Sequence, residues 1–350
     1  MWKSSALLAD GREIIYFDEA PGLGRAQAPD TRPLGPRTPG PALPEGRQEW
    51  GIRWDALAGE WVVIAAARQD RTFLPPADQC PLDPSRPGHP TEIPASSYDV
   101  AVFENRFPSL AEPLGRCEVV CFTSAHDSSF AALSPRRVRT VLEAWVDRTQ
   151  ALSALPGTRQ VYCFENRGEE IGVTLHHPHG QIYAFPFVAP KLARMVAQAR
   201  SYEGGGNLFD DMVASEVAAG GRVVTQNAHW VAFVPEAARW PYEVRIFPLS
   251  RVPDLPSLDQ EARSSFGTLY LDVLRRFDAL FDRPAPYIAA WYQAPVGNPE
   301  ARAQFAAHLQ VLSVRRAAAK LKYLAGTESG MGVWINDIVP EEAAQRLREA

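Results

Sequence analysis

Residues Phe164–Pro186 read FENRGEEIGVTLHHPHGQIYAFP, and the core of that stretch, His177-Pro178-His179-Gly180-Gln181, decides how the rest of the chain is read. Two histidines two apart on extended chain share one face, because strand side chains alternate. The glycine that follows predicts a place where a ligand approaches the backbone. An imidazole pair beside open main chain suits a phosphorus centre, one ring to attack and the other to be tied down. The same pair also suits a packed core or a metal, and these five residues alone leave all three open.

Working outward, the 350-residue chain is long enough for one large or two medium domains with sizeable cores. A net charge of −5 argues against a broad nucleic-acid footprint, so no nucleic-acid partner is expected. No apolar run approaches the roughly 20 residues that span a bilayer. Asp10, Arg12 and Glu13 interrupt the N-terminal stretch, so neither a signal peptide nor a membrane anchor is expected. Four cysteines (Cys80, Cys117, Cys121, Cys163) are too few and too scattered for a disulfide framework. These features predict a cytoplasmic enzyme with no membrane partner. Cys117, Cys121 and Cys163 lie on apolar strands and read as packed thiols.

Gly22 to Gly46 is dense in proline and glycine and cannot bury a core, which makes residues 1–49 an arm. Within it, Arg12–Phe17 has the pattern of a short strand docked on the main body. After the arm a repeat is visible at an offset of about 125 residues, Glu118–Phe122 against Glu243–Phe247. Tyr98–Phe103 matches His229–Val234, and Gln160–Asn166 matches Tyr287–Gln293. Each unit reads strand, strand, helix, strand, strand. The spacing predicts an α+β fold of two duplicated halves, residues 50–205 and 206–350, each an antiparallel sheet with packed helices. Ser134 with Pro135 predicts the start of one helix, burying Val138, Val141, Leu142 and Trp145. Asp259 caps the other, which buries Phe266, Leu269, Tyr270 and Val273. Phe305-Ala306-Ala307-His308 is the second half's counterpart of the histidine motif and lacks the histidine pair. The chemistry therefore belongs to half one.

The Phe164–Pro186 string, together with most of the chain after about residue 50, resembles the galactose-1-phosphate uridylyltransferases, the transferase branch of the histidine-triad superfamily. That family is likewise built from two histidine-triad-like halves. The resemblance implies that His179 is a nucleophile toward the α-phosphorus of UDP-glucose and that galactose 1-phosphate accepts the uridylyl group, by ping-pong transfer. Gln181 would donate amide hydrogens to a phosphoryl oxygen where the superfamily's hydrolases carry a third histidine. Arg68 and Arg71 follow a run, Arg53–Val63, that resembles the family's N-terminal signature and would bind phosphate. Asn105 corresponds to a uridine-binding asparagine, with Arg106 where the family commonly has aspartate. Asn166 and the run Gly172, Val173, Thr174 would line the phosphate and hexose. Lys322, Tyr323 and Glu328 match a hexose-binding region that the family supplies from the other subunit, implying a homodimer.

The resemblance also implies a zinc site. The family often uses CxxC, a distant histidine and the first histidine of HPH. Here the set is Cys80, Asp83, His126 and His177, and zinc accepts a carboxylate ligand. The metal would hold His177 and so place His179 in register. The other reading keeps Cys80 as a buried thiol and Asp83 as a turn cap before Pro84. The family's second metal site is not expected, because Met195, Tyr292 and Ala306 occupy three of its positions and leave His308 alone. Two further functional readings stay open at this level. One is a related nucleotidyltransferase or phosphorylase acting on another NDP-sugar or an ADP-containing nucleotide. The other is a non-catalytic nucleotide- or zinc-binding protein, which would have no need of a nucleophile at His179.

Overall fold

Along His179–Phe185, alternating residues differ in burial, the period of a strand with two differently covered faces, whereas Cys117–Cys121 beside it is buried throughout. Gly180, Ile182 and Ala184 are buried, whereas His179, Gln181, Tyr183 and Phe185 are half-buried. The computed structural model describes residues 1–21, 50–70, 73–111, 113–281 and 283–350. The proline- and glycine-rich stretch and Arg71 fall outside these residues.

The first part of the chain forms strands β1 (Trp2–Leu7), β2 (Glu13–Asp18), β3 (Trp50–Asp55), β4 (Glu60–Ala65), β5 (Val100–Glu104) and β6 (Arg116–Cys121). Helix α1 (Pro135–Ser153), strands β7 (Gln160–Arg167) and β8 (His179–Phe185), and helices α2 (Pro190–Arg200) and α3 (Leu208–Ala219) follow. Then come β9 (Val223–Gln226), β10 (Trp230–Phe233), β11 (Tyr242–Pro248), α4 (Gln260–Ala279), β12 (Tyr287–Tyr292), α5 (Pro299–Gln304) and β13 (His308–Ser313). A short hairpin of β14 (Arg315–Ala317) and β15 (Lys320–Leu321), then α6 (Gly326–Met331) and α7 (Pro340–Glu349), complete the chain.

Eleven strands form one sheet in the order β1-β2-β5-β6-β8-β7-β12-β13-β11-β10-β9. The predicted duplication is visible in that order. β5-β6-β8-β7 of half one is mirrored by β10-β11-β13-β12 of half two, and the units join where β7 pairs antiparallel with β12. The strand expected at Arg12–Phe17 is β2, paired with β5; β1 outside it is an addition that the repeat does not contain. Helices α2 and α3, on either side of residue 205, are likewise outside the repeat.

Both predicted helix starts hold. Ser134 Oγ accepts from Arg137 N at 3.1 Å, and Asp259 Oδ1 accepts from Ala262 N at 2.7 Å. α1 and α4 bury Trp145, Phe266 and Tyr270 on one face of the sheet, against Val120, Val161, Cys163 and Ile182. Burial of each such side chain contributes about 1.5–3 kcal/mol. The opposite face is covered in two places. Cys80, Leu82, Ile93 and Tyr98 pack over β5 and β6, and α2 and α3 pack over β10 to β12. Between these covers the sheet face around β8 stays open. Cys117, Cys121 and Cys163 are fully buried and unbridged, and burial raises each thiol's pKa, to about 11 for Cys117 and about 12 for Cys163.

Candidate active site

A cavity of about 410 Å³ occupies that gap. Its lining includes the polar His179, Gln181, Asn166, Thr174 and Asn105, the backbone of Gly172 and Gly180, and the apolar Leu82, Phe103, Phe107, Val119 and Val173. Arg68, Arg106 and Glu92 also line it. Sheet register explains why these residues meet. Val119 lies opposite both Phe103 and Gln181, and Glu165 opposite Gly180, which sets Asn166 beside His179.

His179 begins β8, and its Nδ1 lies 2.7 Å from the carbonyl oxygen of His177. A carbonyl only accepts, so Nδ1 carries the hydrogen and Nε2 keeps its lone pair. Burial pulls the ring's pKa down to about 4, so it is neutral at pH 7. The arrangement presents a nucleophilic nitrogen at neutral pH.

Gln181 is held at its carbonyl end. Tyr183 Oη donates to Gln181 Oε1 at 3.2 Å, which leaves the amide hydrogens for an acceptor. Tyr183 is itself fixed by Ser109 Oγ at 3.1 Å and by Arg68 Nη1 at 3.3 Å. Arg68 also donates to Ser109 Oγ at 2.9 Å, so its guanidinium stands on the cavity wall. Sequence reading missed Tyr183 and Ser109. For Tyr183 the signal was available, since it lies two residues past Gln181 on the same strand face. Asn105 Oδ1 accepts from Phe107 N at 2.9 Å, so what it offers a ligand is its Nδ2 donors.

Two details of the motif differ from the sequence reading. His177 is not on the strand but in the bend before it, next to β6, where Phe122 N donates to the Pro178 carbonyl at 3.1 Å. Gly180 is required by packing as well as by the cavity. A Cβ there would lie 2.7 Å from Phe122 Cζ and 2.7 Å from the Phe164 carbonyl, on the helix-covered face, while only its backbone borders the cavity.

Cys80, Asp83, His126 and His177 converge, with one ligand atom from each within 4.8 Å of the others. Asp83 Oδ1 is 2.9 Å from Nδ1 of both His126 and His177. His177 Nε2 is 2.8 Å from the Thr123 carbonyl and must donate to it, leaving Nδ1 bare and facing a carboxylate oxygen. Two acceptors at 2.9 Å require a proton or a cation between them, and burial lowers the pKa of His177. The cluster fits a metal ion. Tyr98 Oη braces it, 3.0 Å from His177 Nε2 and donating to the Leu82 carbonyl.

Lys322, Tyr323 and Glu328 are not among the residues lining the cavity. Lys322 Nζ pairs with Glu328 Oε1 at 2.9 Å, and Tyr323 is exposed.

The second half preserves the outline of the site without its opening. His308 begins β13 as His179 begins β8, its Nδ1 2.9 Å from the Ala306 carbonyl, and Gln310 stands where Gln181 does. Here His308 is stacked between Phe247 and Tyr292, with centroids 4.4 and 5.3 Å away, and its Nε2 contacts Gln310 Nε2 at 3.0 Å. Lys191 Nζ is 2.7 Å from both Gln310 Oε1 and Tyr292 Oη. That imidazole has no room to act on a ligand.

The chain matches the model of the galactose-1-phosphate uridyl transferase N-terminal domain over residues 110–189 and of the C-terminal domain over residues 194–350. It is 50% identical to the galactose-1-phosphate uridylyltransferase of Streptomyces lividans, over 100% of this chain and 98% of that one. Identity to the Thermotoga maritima enzyme of the same name is 35%, over 85% of this chain and 98% of its relative. A solved uridylyltransferase structure superposes with a TM-score of 0.74 at 28% identity, covering 85% of this chain and 97% of that one. With the histidine site intact in one half and the relatives matched along their length, this chain belongs to the galactose-1-phosphate uridylyltransferase family.

Proposed function

We infer that the protein transfers a uridylyl group between UDP-glucose and galactose 1-phosphate, giving UDP-galactose and glucose 1-phosphate, in two displacements at one histidine. The observation that carries this is the His179 geometry, with Nδ1 donating to the His177 carbonyl and Nε2 bare on the cavity. Nε2 attacks the α-phosphorus, an N–P bond forms, and the P–O bond to glucose 1-phosphate breaks. The departing phosphate monoester is a stable anion and needs no proton. The charged uridylyl-imidazole keeps its Nδ1–H on the His177 carbonyl. An oxygen of galactose 1-phosphate then attacks the same phosphorus, and His179 leaves neutral. Gln181 donates to a non-bridging oxygen as charge builds there, and Arg68 adds a cation to the wall. Arg71 is assigned to phosphate on the resemblance alone. Asn105 takes the base, and Asn166 with Gly172, Val173 and Thr174 takes the phosphates and hexose.

We assign zinc to Cys80, Asp83, His126 and His177. The mixed sulfur, oxygen and nitrogen set suits tetrahedral zinc, which supplies a rigid anchor for the His177 ring. We further read the chain as two halves dividing near residue 205, after an arm over residues 1–49, and as a cytoplasmic homodimer. Supporting the dimer, the exposed Tyr323, Met331, Val333 and Ile335 lie in the same stretch of chain as Lys322 and Glu328, which are off the chain's own cavity. Among the described residues no helix is long and apolar enough to cross a membrane. The test of the function is transfer itself. Purified protein given UDP-glucose and galactose 1-phosphate forms UDP-galactose, and His179→Ala forms none; UDP-galactose formed equally by His179→Ala would refute the assignment.

A further inference from the structure

The cavity has one feature that phosphate binding does not explain. Its polar lining includes two arginines, Arg68 and Arg106, and the amide donors of Asn105 and Gln181, as an anionic nucleotide requires. Among the residues lining it, Glu92 is the one carboxylate. Its side chain is only 8% exposed, and each oxygen is held by a different guanidinium. Arg12 Nη2 is 2.5 Å from Oε2, and Arg106 Nη1 is 3.2 Å from Oε1. Arg12 is itself immobilised, with Nε 2.7 Å from Asp10 Oδ2 and Nη1 2.7 Å from the Glu104 carbonyl. The backbone at Glu92 is fixed too, its N donating to the Pro81 carbonyl at 3.0 Å.

An uncompensated anion in this wall would repel the ligand the cavity is built to hold. Two arginines cancel that repulsion and leave the carboxylate's acceptor capacity in place, since each oxygen has two lone pairs and spends one. An acceptor-only group cannot bind a phosphoryl oxygen or a base carbonyl. It selects ligand groups that have a hydrogen to give, and a nucleotide's alcohol groups are such donors. Position agrees with this. Glu92 and Arg106 line the same cavity as the apolar Leu82, Phe103 and Phe107, which suit a flat base, and as His179 and Gln181, which suit the phosphates. In a nucleoside diphosphate the ribose is what joins the flat base to the phosphates.

We propose that Glu92 reads the ribose of the bound nucleotide, accepting a hydrogen bond from one hydroxyl of its cis-diol, with Arg12 and Arg106 as positioning residues that hold the carboxylate in the wall. The inference rests on the uridylyl-transfer reading and deepens it. It makes the N-terminal strand pair part of the substrate site, since Arg12 lies in the turn between β1 and β2. It also makes Glu92 the element that separates ribonucleotides from deoxyribonucleotides.

The experiment compares kcat/KM for UDP-glucose with that for its 2′-deoxy and 3′-deoxy ribose analogues, in the full-length wild type, Glu92→Ala and Glu92→Gln, with folding checked by thermal melting. The wild type is expected to favour UDP-glucose over the analogue lacking the contacted hydroxyl by about ten- to a hundredfold, the worth of one hydrogen bond to a charged group. In Glu92→Ala that ratio collapses toward one. Glu92→Gln retains an acceptor oxygen without the charge and falls between, and it decides the matter if the alanine variant does not fold. Equal use of all three substrates by the wild type, or a ratio unchanged in both variants, would overturn the proposal. A wild type that transfers nothing from UDP-glucose would instead overturn the transfer reading beneath it.

Discussion

The His179 Nδ1 hydrogen is committed to the carbonyl oxygen of His177, two residues back on the same chain, at 2.7 Å. The contact is local, so the tautomer of the nucleophile is built into the turn that delivers the ring. Nitrogen-15 NMR of the free enzyme at pH 7 should show His179 protonated at Nδ1 and bare at Nε2. The reverse tautomer would leave no lone pair on the cavity.

Tyr183 fixes which end of Gln181 faces the ligand. Removing one oxyanion donor from such a site costs about a hundredfold or more in rate, so Gln181→Ala should lose about that much kcat. Tyr183→Phe keeps the ring but frees the amide, and about a fivefold loss in kcat is expected, with the melting temperature nearly constant. Full activity in Tyr183→Phe would remove it from the mechanism.

The four-residue cluster predicts one zinc per chain by metal analysis of the purified protein. Cys80→Ser and Asp83→Ala should each lower that content and the melting temperature together, because the metal binds the folded state. Equal zinc in wild type and Cys80→Ser would take Cys80 out of the ligand set.

Glu165, on the helix-covered face behind Asn166, is buried with Oε2 unpartnered and Oε1 3.0 Å from Tyr287 Oη. Burial raises its pKa to about 8 from the ordinary 4.5, against weaker opposing effects of Tyr287 and Arg167. The folded state therefore holds a proton that the unfolded chain releases above pH 4.5. Stability from this group is complete below that value and is lost as pH rises toward about 8. Glu165→Gln removes the titration, so its melting temperature should gain on the wild type between pH 5 and pH 8. A difference that does not change with pH would contradict the assignment.

Gly180→Ala tests the packing role of the motif's glycine. With contacts of 2.7 Å to Phe122 and to the Phe164 carbonyl, the added methyl must displace a strand or an aromatic ring. Overpacking of this kind costs about 1–3 kcal/mol, which denaturant unfolding would resolve. An unperturbed variant would mean that the sheet has slack at β8.

Much of this architecture was legible before any coordinates. Strand alternation and the Ser134 and Asp259 caps are local signals, and the repeated Glu-Val strands marked the two duplicated units, though not the order in which their strands pair. The convergence of Cys80, Asp83, His126 and His177 was readable through the family pattern. What stayed hidden depends on contacts between distant elements. Glu92 and Arg12 are ordinary charges in sequence, 80 residues apart, and meet only in the folded chain. Gly180 looks like a ligand-facing glycine until Phe122 is placed beneath it. The closing of the second half at His308 comes from Phe247, Tyr292 and Lys191, which lie on three different elements.

The proposed transfer requires a covalent bond between phosphorus and one imidazole nitrogen. Wild-type protein incubated with UDP-glucose alone and analysed by intact mass should gain one uridylyl group, and peptide mapping should place it on His179. Failure to form that adduct, in protein that still exchanges uridylyl groups once both substrates are present, would contradict it.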